Sequence, residues 1–153
     1  MQAILAQLNV SDGGIPKLPV DSARVTRFGV EGDRQRNLKY HGGPNRAVCI
    51  FSEELYDWLR DQDIDLKNGA VGENFTTRGL DLSKLTKGDQ LKVGNCLIEI
   101  TDVRIPCGNL SRWDKRLLKT IRGLSGWATK VIEEGCVKAG DEIHVVRSDG
   151  VKE

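Results

Sequence analysis

The stretch Gln90-Leu-Lys-Val-Gly-Asn-Cys-Leu-Ile-Glu-Ile-Thr101 decides the fold class. Residues 90–93 and 96–101 read as two strands. Between them stands Gly94-Asn95, a pair fit for a two-residue type II′ hairpin, in which glycine takes the first central position. Upstream, Ala47-Val-Cys-Ile-Phe51 is a continuous apolar run of strand length. Residues 2–10 and 23–30 alternate less regularly, the latter placing Val25 and Phe28 or Val30 near a core, and Glu142-Ile-His-Val-Val146 makes a last strand. Ser52 is placed to cap a helix with Glu53 and Glu54 in its first turn and Leu55, Trp58 and Leu59 on one face. Residues 110–122 and 125–135 also read as helical, with Leu110, Trp113, Leu117, Leu118 and Ile121 at helical spacing. Short β segments with inserted helices predict a mainly β, α+β fold, a closed or nearly closed β-barrel.

The bulk composition agrees. A chain of 153 residues suits one domain, and no repeat or linker marks a boundary, so residues 1–147 are expected to form a single domain and 148–153 a polar C-terminal tail. Glycine supplies 17 of the 153 residues, above the usual share of about 7%, as turns between short strands require. The formal net charge of +1 gives no pull towards nucleic acid or an anionic membrane, so neither is an expected partner. The N-terminus lacks the basic and apolar regions of a signal peptide, and no apolar run approaches the ~20 residues of a membrane helix. The four cysteines include no CxxC pair, which leaves reduced thiols in the cytoplasm as the expectation.

Three groups of residues could carry chemistry. Cys107 lies between Pro106 and Gly108, just after a strand, with Arg104 three residues before it. A nearby guanidinium favours the thiolate, which is both nucleophile and metal ligand; a buried, inert cysteine is the alternative. Cys49 and Cys96 sit in apolar strand runs and read as structural, and Cys136 as a bystander near the surface. Arg34, Arg36, Lys39, His41 and Arg46 surround a Gly-Gly-Pro turn at residues 42–44. Glycines admit close approach of a ligand, and amides beside arginines suit phosphate or another oxyanion; a solvated loop paired with Glu31 and Asp33 would look the same. Glu73 and Asn74, in Gly72-Glu-Asn-Phe-Thr76, could fix a polar ligand or order their own turn. His144, in the last strand, is expected to face solvent or make one hydrogen bond. No GxSxG, Walker A, GxGxxG or HExxH motif occurs.

Taken in order, His41-Gly-Gly-Pro-Asn-Arg-Ala47, Gly72-Glu-Asn-Phe-Thr-Thr-Arg-Gly-Leu80, Lys87-Gly-Asp89 with Gly94, and Arg104-Ile-Pro-Cys107 resemble the MOSC family, named for the C-terminal domain of molybdenum-cofactor sulfurases. The resemblance implies a β-barrel in which Cys107 matches the family's invariant cysteine. It implies the molybdenum cofactor (molybdopterin), with Cys107 as catalytic residue and molybdenum ligand. By motif position His41, Arg46, Glu73, Asn74 and Arg104 would contact the cofactor, with Arg34 and Arg36 as anion contacts. Enzymatic relatives reduce N-hydroxylated compounds with electrons from separate redox partner proteins. Others are non-catalytic sulfur carriers that bear a cysteine persulfide received from a sulfur donor such as a cysteine desulfurase. Neither the extra N-terminal β domain of two-part members nor, since the cysteine spacing holds no CxxxxCxxC, an iron–sulfur cluster of its own is expected.

Overall fold

The computed structural model describes residues 2–34, 44–104, 108–124 and 126–147. In chain order the strands are β1 (Ile4–Val10), β2 (Leu18–Val20), β3 (Ser22–Thr26), β4 (Gly29–Val30), β5 (Val48–Ser52), β6 (Phe75–Arg78), β7 (Gln90–Val93), β8 (Cys96–Val103), β9 (Trp127–Glu133), β10 (Gly135–Lys138) and β11 (Ile143–Val146). The helices are α1 (Glu53–Asp61) and the single turn α2 (Leu117–Thr120). Eight strands form one sheet in the order β11-β7-β8-β9-β5-β6-β1-β2, and β10-β3-β4 form a second.

The expected hairpin is present. Val93 pairs with Cys96, and Gly94 takes φ +55° while Asn95 stays at negative φ, the type II′ pattern. Strand β5 runs parallel to β6, and parallel neighbours need a crossover, here through α1. Ser52 caps that helix as expected, its hydroxyl accepting the Leu55 N–H at 3.1 Å. The face that α1 buries differs from the predicted one: Tyr56 and Leu59 are fully buried, whereas Trp58 remains 40% exposed. A period of two along β5 divides the interior. Ile50 joins Leu5, Leu8, Phe75, Leu91, Ile98 and Val25 between the two sheets, while Phe51, on the opposite face, packs with Tyr56, Leu59, Leu110, Leu117 and Ile121.

Two expectations fail. The large sheet is open, not a closed or nearly closed barrel, with β11 and β2 as its outermost strands. Strand β1 already pairs with β6 through Ile4–Leu8 and with β2 through Leu8–Val10. Towards β11 it makes only the isolated bridge Ile4–Glu142 and flanking bonds such as Ile143 N–H to Ala3 O at 2.9 Å. No ladder closes the ring. Of the helix predicted over 110–122 only the turn α2 forms, and the one predicted over 125–135 is a strand instead. Residues 108–112 form a 3-10 turn, and Asp114 then accepts the Arg116 N–H at 2.8 Å, a local bond that displaces helix until Leu117. Residues 127–133 are β9, held between β8 and β5. A register shift against β8 breaks its alternation, which is why its sequence imitates a helix.

Candidate functional site

The turn before β6 places Glu73 where no water reaches it. A buried carboxylate must be bonded on both oxygens, and elements distant in sequence converge to do so. Tyr56, on the buried face of α1, donates its hydroxyl to Oε1 at 2.7 Å. Oε2 accepts the Gly69 N–H at 3.0 Å and the Thr76 hydroxyl at 2.8 Å. Asn9 of β1 donates to Thr76 Oγ1 and to the carbonyl of Glu73. Gly69 fits here with φ +93° because a Cβ would strike the Lys17 carbonyl. Burial pushes the Glu73 carboxyl above its ordinary value, and burial together with the Glu73 charge pushes the Tyr56 phenol well up.

Asn74 carries the network to the next segment. Its Oδ1 accepts the Cys49 N–H at 3.1 Å, and its amide donates to Asn9 O at 3.3 Å and to Asp33 Oδ2 at 3.0 Å. The other oxygen of Asp33 accepts the Ser11 N–H at 2.9 Å and Lys17 Nζ at 2.6 Å, an ion pair with both side chains at least nine-tenths buried. Arg34 follows directly. Its N–H donates to Ser11 O at 2.7 Å, while its exposed guanidinium stands 3.7 Å from Asp12.

At the end of β8, the Arg104 N–H donates to Gly126 O at 3.0 Å and its guanidinium to Val71 O. The absence of a side chain at Gly72 makes room: a Cβ there would lie 3.0 Å from Arg104 Nη2. The Val71 N–H in turn donates to the Tyr56 hydroxyl at 3.1 Å. One continuous set of bonds therefore runs from Asp33 through Asn74, Asn9, Glu73, Tyr56 and Val71 to Arg104. Arg46 stands apart, 3.4 Å from Asp102.

Of the residues singled out in the sequence, Glu73, Asn74 and Arg104 are brought together, Arg34 lies at the margin, and Arg46 contacts a different part of β8. Arg36, His41 and Cys107 lie outside the described residues, as does Lys39. Glu73 and Asn74 turn their side-chain acceptors to protein partners. Sequence reasoning missed Tyr56, Lys17 and Asn9, none of which belongs to a local pattern; Thr76 stands in the Gly72–Thr76 motif without a role of its own, and Asp33 enters only as a charge partner for the loop. Among the other cysteines, Cys49 is half-buried and Cys136 exposed, while burial pushes the Cys96 thiol up to about 12. His144 is exposed and meets Glu142 at 3.2 Å. Among the described residues no three His, Cys, Asp or Glu side chains gather to hold a metal ion, and no helix is long and apolar enough to cross a membrane.

The family model described as "MOSC domain" matches residues 37–144, which include Tyr56, Val71, Glu73, Asn74 and Arg104 of this network. The chain belongs to the MOSC family. Among curated relatives, the domain is 34% identical over 139 residues to "Uncharacterized protein YflK" of Bacillus subtilis (strain 168), covering 87% of this chain. It is 36% identical over 141 residues to "Protein YiiM" of Escherichia coli (strain K12), covering 86%. In both cases it spans 63% of the relative's length. The crystal structure of YiiM from Escherichia coli superposes with a TM-score of 0.76 at 26% identity, over 95% of this MOSC domain and 70% of that chain.

Proposed function

We propose that this MOSC domain binds the molybdenum cofactor, with the Cys107 thiolate as molybdenum ligand, and reduces N-hydroxylated compounds. The observation that carries the reading is the buried network: it fixes the residues next to both segments that hold the matched motifs, Asp33 and Arg34 before residues 35–43, and Arg104 before 105–107. A catalytic constellation needs such support from groups whose own positions are locked. The described residues fit a phosphate-bearing cofactor in charge. The Arg34 guanidinium has only a loose, exposed ion pair to give up, and Arg46 one at 3.4 Å, so a phosphate can recruit either. The assignment of Cys107 as metal ligand follows from its match to the family's cysteine.

In this reading Arg34, Arg36, His41, Arg46 and Arg104 bind and orient the cofactor. Glu73 and Asn74 act from behind, setting the two stems. The cofactor supplies two-electron reduction of an N–hydroxyl group to N–H, releasing water, with electrons and protons delivered through an external redox partner protein. Cytoplasm is the compartment that keeps Cys107 reduced.

The test is molybdenum and pterin content after anaerobic incubation of the purified chain with isolated cofactor and desalting, with Cys107→Ala alongside. Near-stoichiometric metal that disappears in the variant is the expected result. No retained metal in either protein overturns the reading. A one-sulfur mass increase on Cys107 after incubation with a cysteine desulfurase would then assign the domain as a sulfur carrier.

A further inference from the structure

The two hydrophobic clusters meet at a cleft of about 640 Å³ beside the end of β8. Leu80, Leu82 and Trp127 on its wall pack against the inter-sheet cluster, and Leu55 packs against the cluster around α1. Val103 and Leu124 complete it, and both leave large apolar side chains 43% and 47% exposed. The volume is that of a small-molecule site, which is usually concave and apolar.

Among the described residues, each polar side chain of the wall already makes a hydrogen bond within the protein. Ser52 caps α1 through the Leu55 N–H, and Glu54 accepts the Gly79 N–H at 2.7 Å. Asp81 accepts both the N–H and the hydroxyl of Ser83. The Trp127 indole N–H donates to Leu82 O at 2.9 Å. Glu54 and Asp81 make the only formal charges there among the described residues, both negative. Both acids are exposed and keep their own hydration, and an anionic guest would be repelled. Flat apolar surface is what remains on offer, with the Trp127 ring among its walls. Val103 stands four residues before Cys107 in the chain, a reach of at most about 14 Å even fully extended.

We infer that this cleft receives the neutral aromatic body of the substrate, leaving its polar head to the Cys107 site. The assignment of that head rests on the function proposed above; the cleft's affinity for a neutral aromatic ring system does not. The test is therefore made on the purified chain with no cofactor added. Naphthalene-2-carboxamide, a neutral two-ring probe, is titrated against the ¹⁵N-labelled protein. Saturable shifts are expected at the backbone amides of Gly79, Val103, Gly123 and Gly126. Leu124→Asp and Val103→Asp, both at exposed positions that tolerate a charge, should each weaken binding at least tenfold. No saturable shift, shifts centred elsewhere, or unaltered affinity in both variants overturns the proposal. Probe binding at the cleft in a protein that never retains molybdenum would uphold the cleft and overturn only the cofactor reading.

Discussion

The Tyr56 hydroxyl stands 2.7 Å from Glu73 Oε1 and 3.1 Å from the Val71 N–H, so a single oxygen donates to one buried group and accepts from another. It ties the crossover helix to the turn that opens β6 and, through Val71, to the arginine that precedes the Cys107 segment.

Tyr56→Phe keeps the ring, and its edge contact with Phe51, but strips the partner from both groups. Each buried group left unsatisfied costs about 1–3 kcal/mol. Urea unfolding should show a lower midpoint with an unchanged slope. A loss below about 0.5 kcal/mol would mean that the groups find other partners.

Glu73 should make stability depend on pH in a definite direction. Its carboxyl is raised above its ordinary value, chiefly by burial. For an acid raised in the folded state, the stabilising contribution is full below the unfolded value of about 4.5 and is lost as pH rises through the folded one. The wild-type chain should therefore lose stability relative to Glu73→Gln as pH is raised from about 4 towards neutrality. Parallel stability profiles for the two proteins would refute this.

Lys17→Met leaves the Asp33 carboxylate buried without its cation, 2% exposed. Breaking one side of a buried pair costs about 3–5 kcal/mol. Equilibrium unfolding measures the loss, and amide exchange at Ser11 and Arg34, which bond across this junction, should accelerate in the same variant. Unchanged exchange at both would show that Asp33 does not set that stem.

Alkylation should separate the described thiols. Cys96, pushed up to about 12 by burial, carries thiolate in roughly one molecule in ten thousand at pH 8. Cys136 is exposed. Brief treatment of the native protein with iodoacetamide, followed by peptide mass mapping, should label Cys136 and spare Cys96 until denaturant is added.

Gly126 and Gly123 both have positive φ, but only Gly126 faces a wall, where a Cβ would strike the Ile50 carbonyl. Gly123→Ala should cost about 1 kcal/mol from backbone strain alone. Gly126→Ala must push β9 from β5 and should cost several times more, read from the two melting temperatures.

What could be read from the sequence follows the range of the interaction. The Gly94-Asn95 hairpin and the Ser52 cap depend on neighbours within four residues, and both appear where the sequence places them. Strand β9 imitates a helix in sequence because its alternation is interrupted, and only its partners β5 and β8, far along the chain, make it a strand. The open sheet likewise depends on β2 occupying an edge of β1, which no local pattern announces. Glu73 and Asn74 stood out by motif, but their partners Tyr56, Asn9 and Asp33 come from three other stretches of chain. A buried acid can be suspected from a motif, but its donors become visible only once the chain has folded around it.

An open sheet also has a sociable side. Unpaired strand edges recruit other strands, and a long, flat, apolar edge invites fibres. Here the outermost β2 offers three residues, and the middle one, Pro19, has no N–H to give. At the opposite margin, β11 is four residues long, and the bridge at Glu142 beside it lets β1 cover its approach. What the architecture forgoes by not closing on itself, it recovers by making both borders inhospitable to strangers.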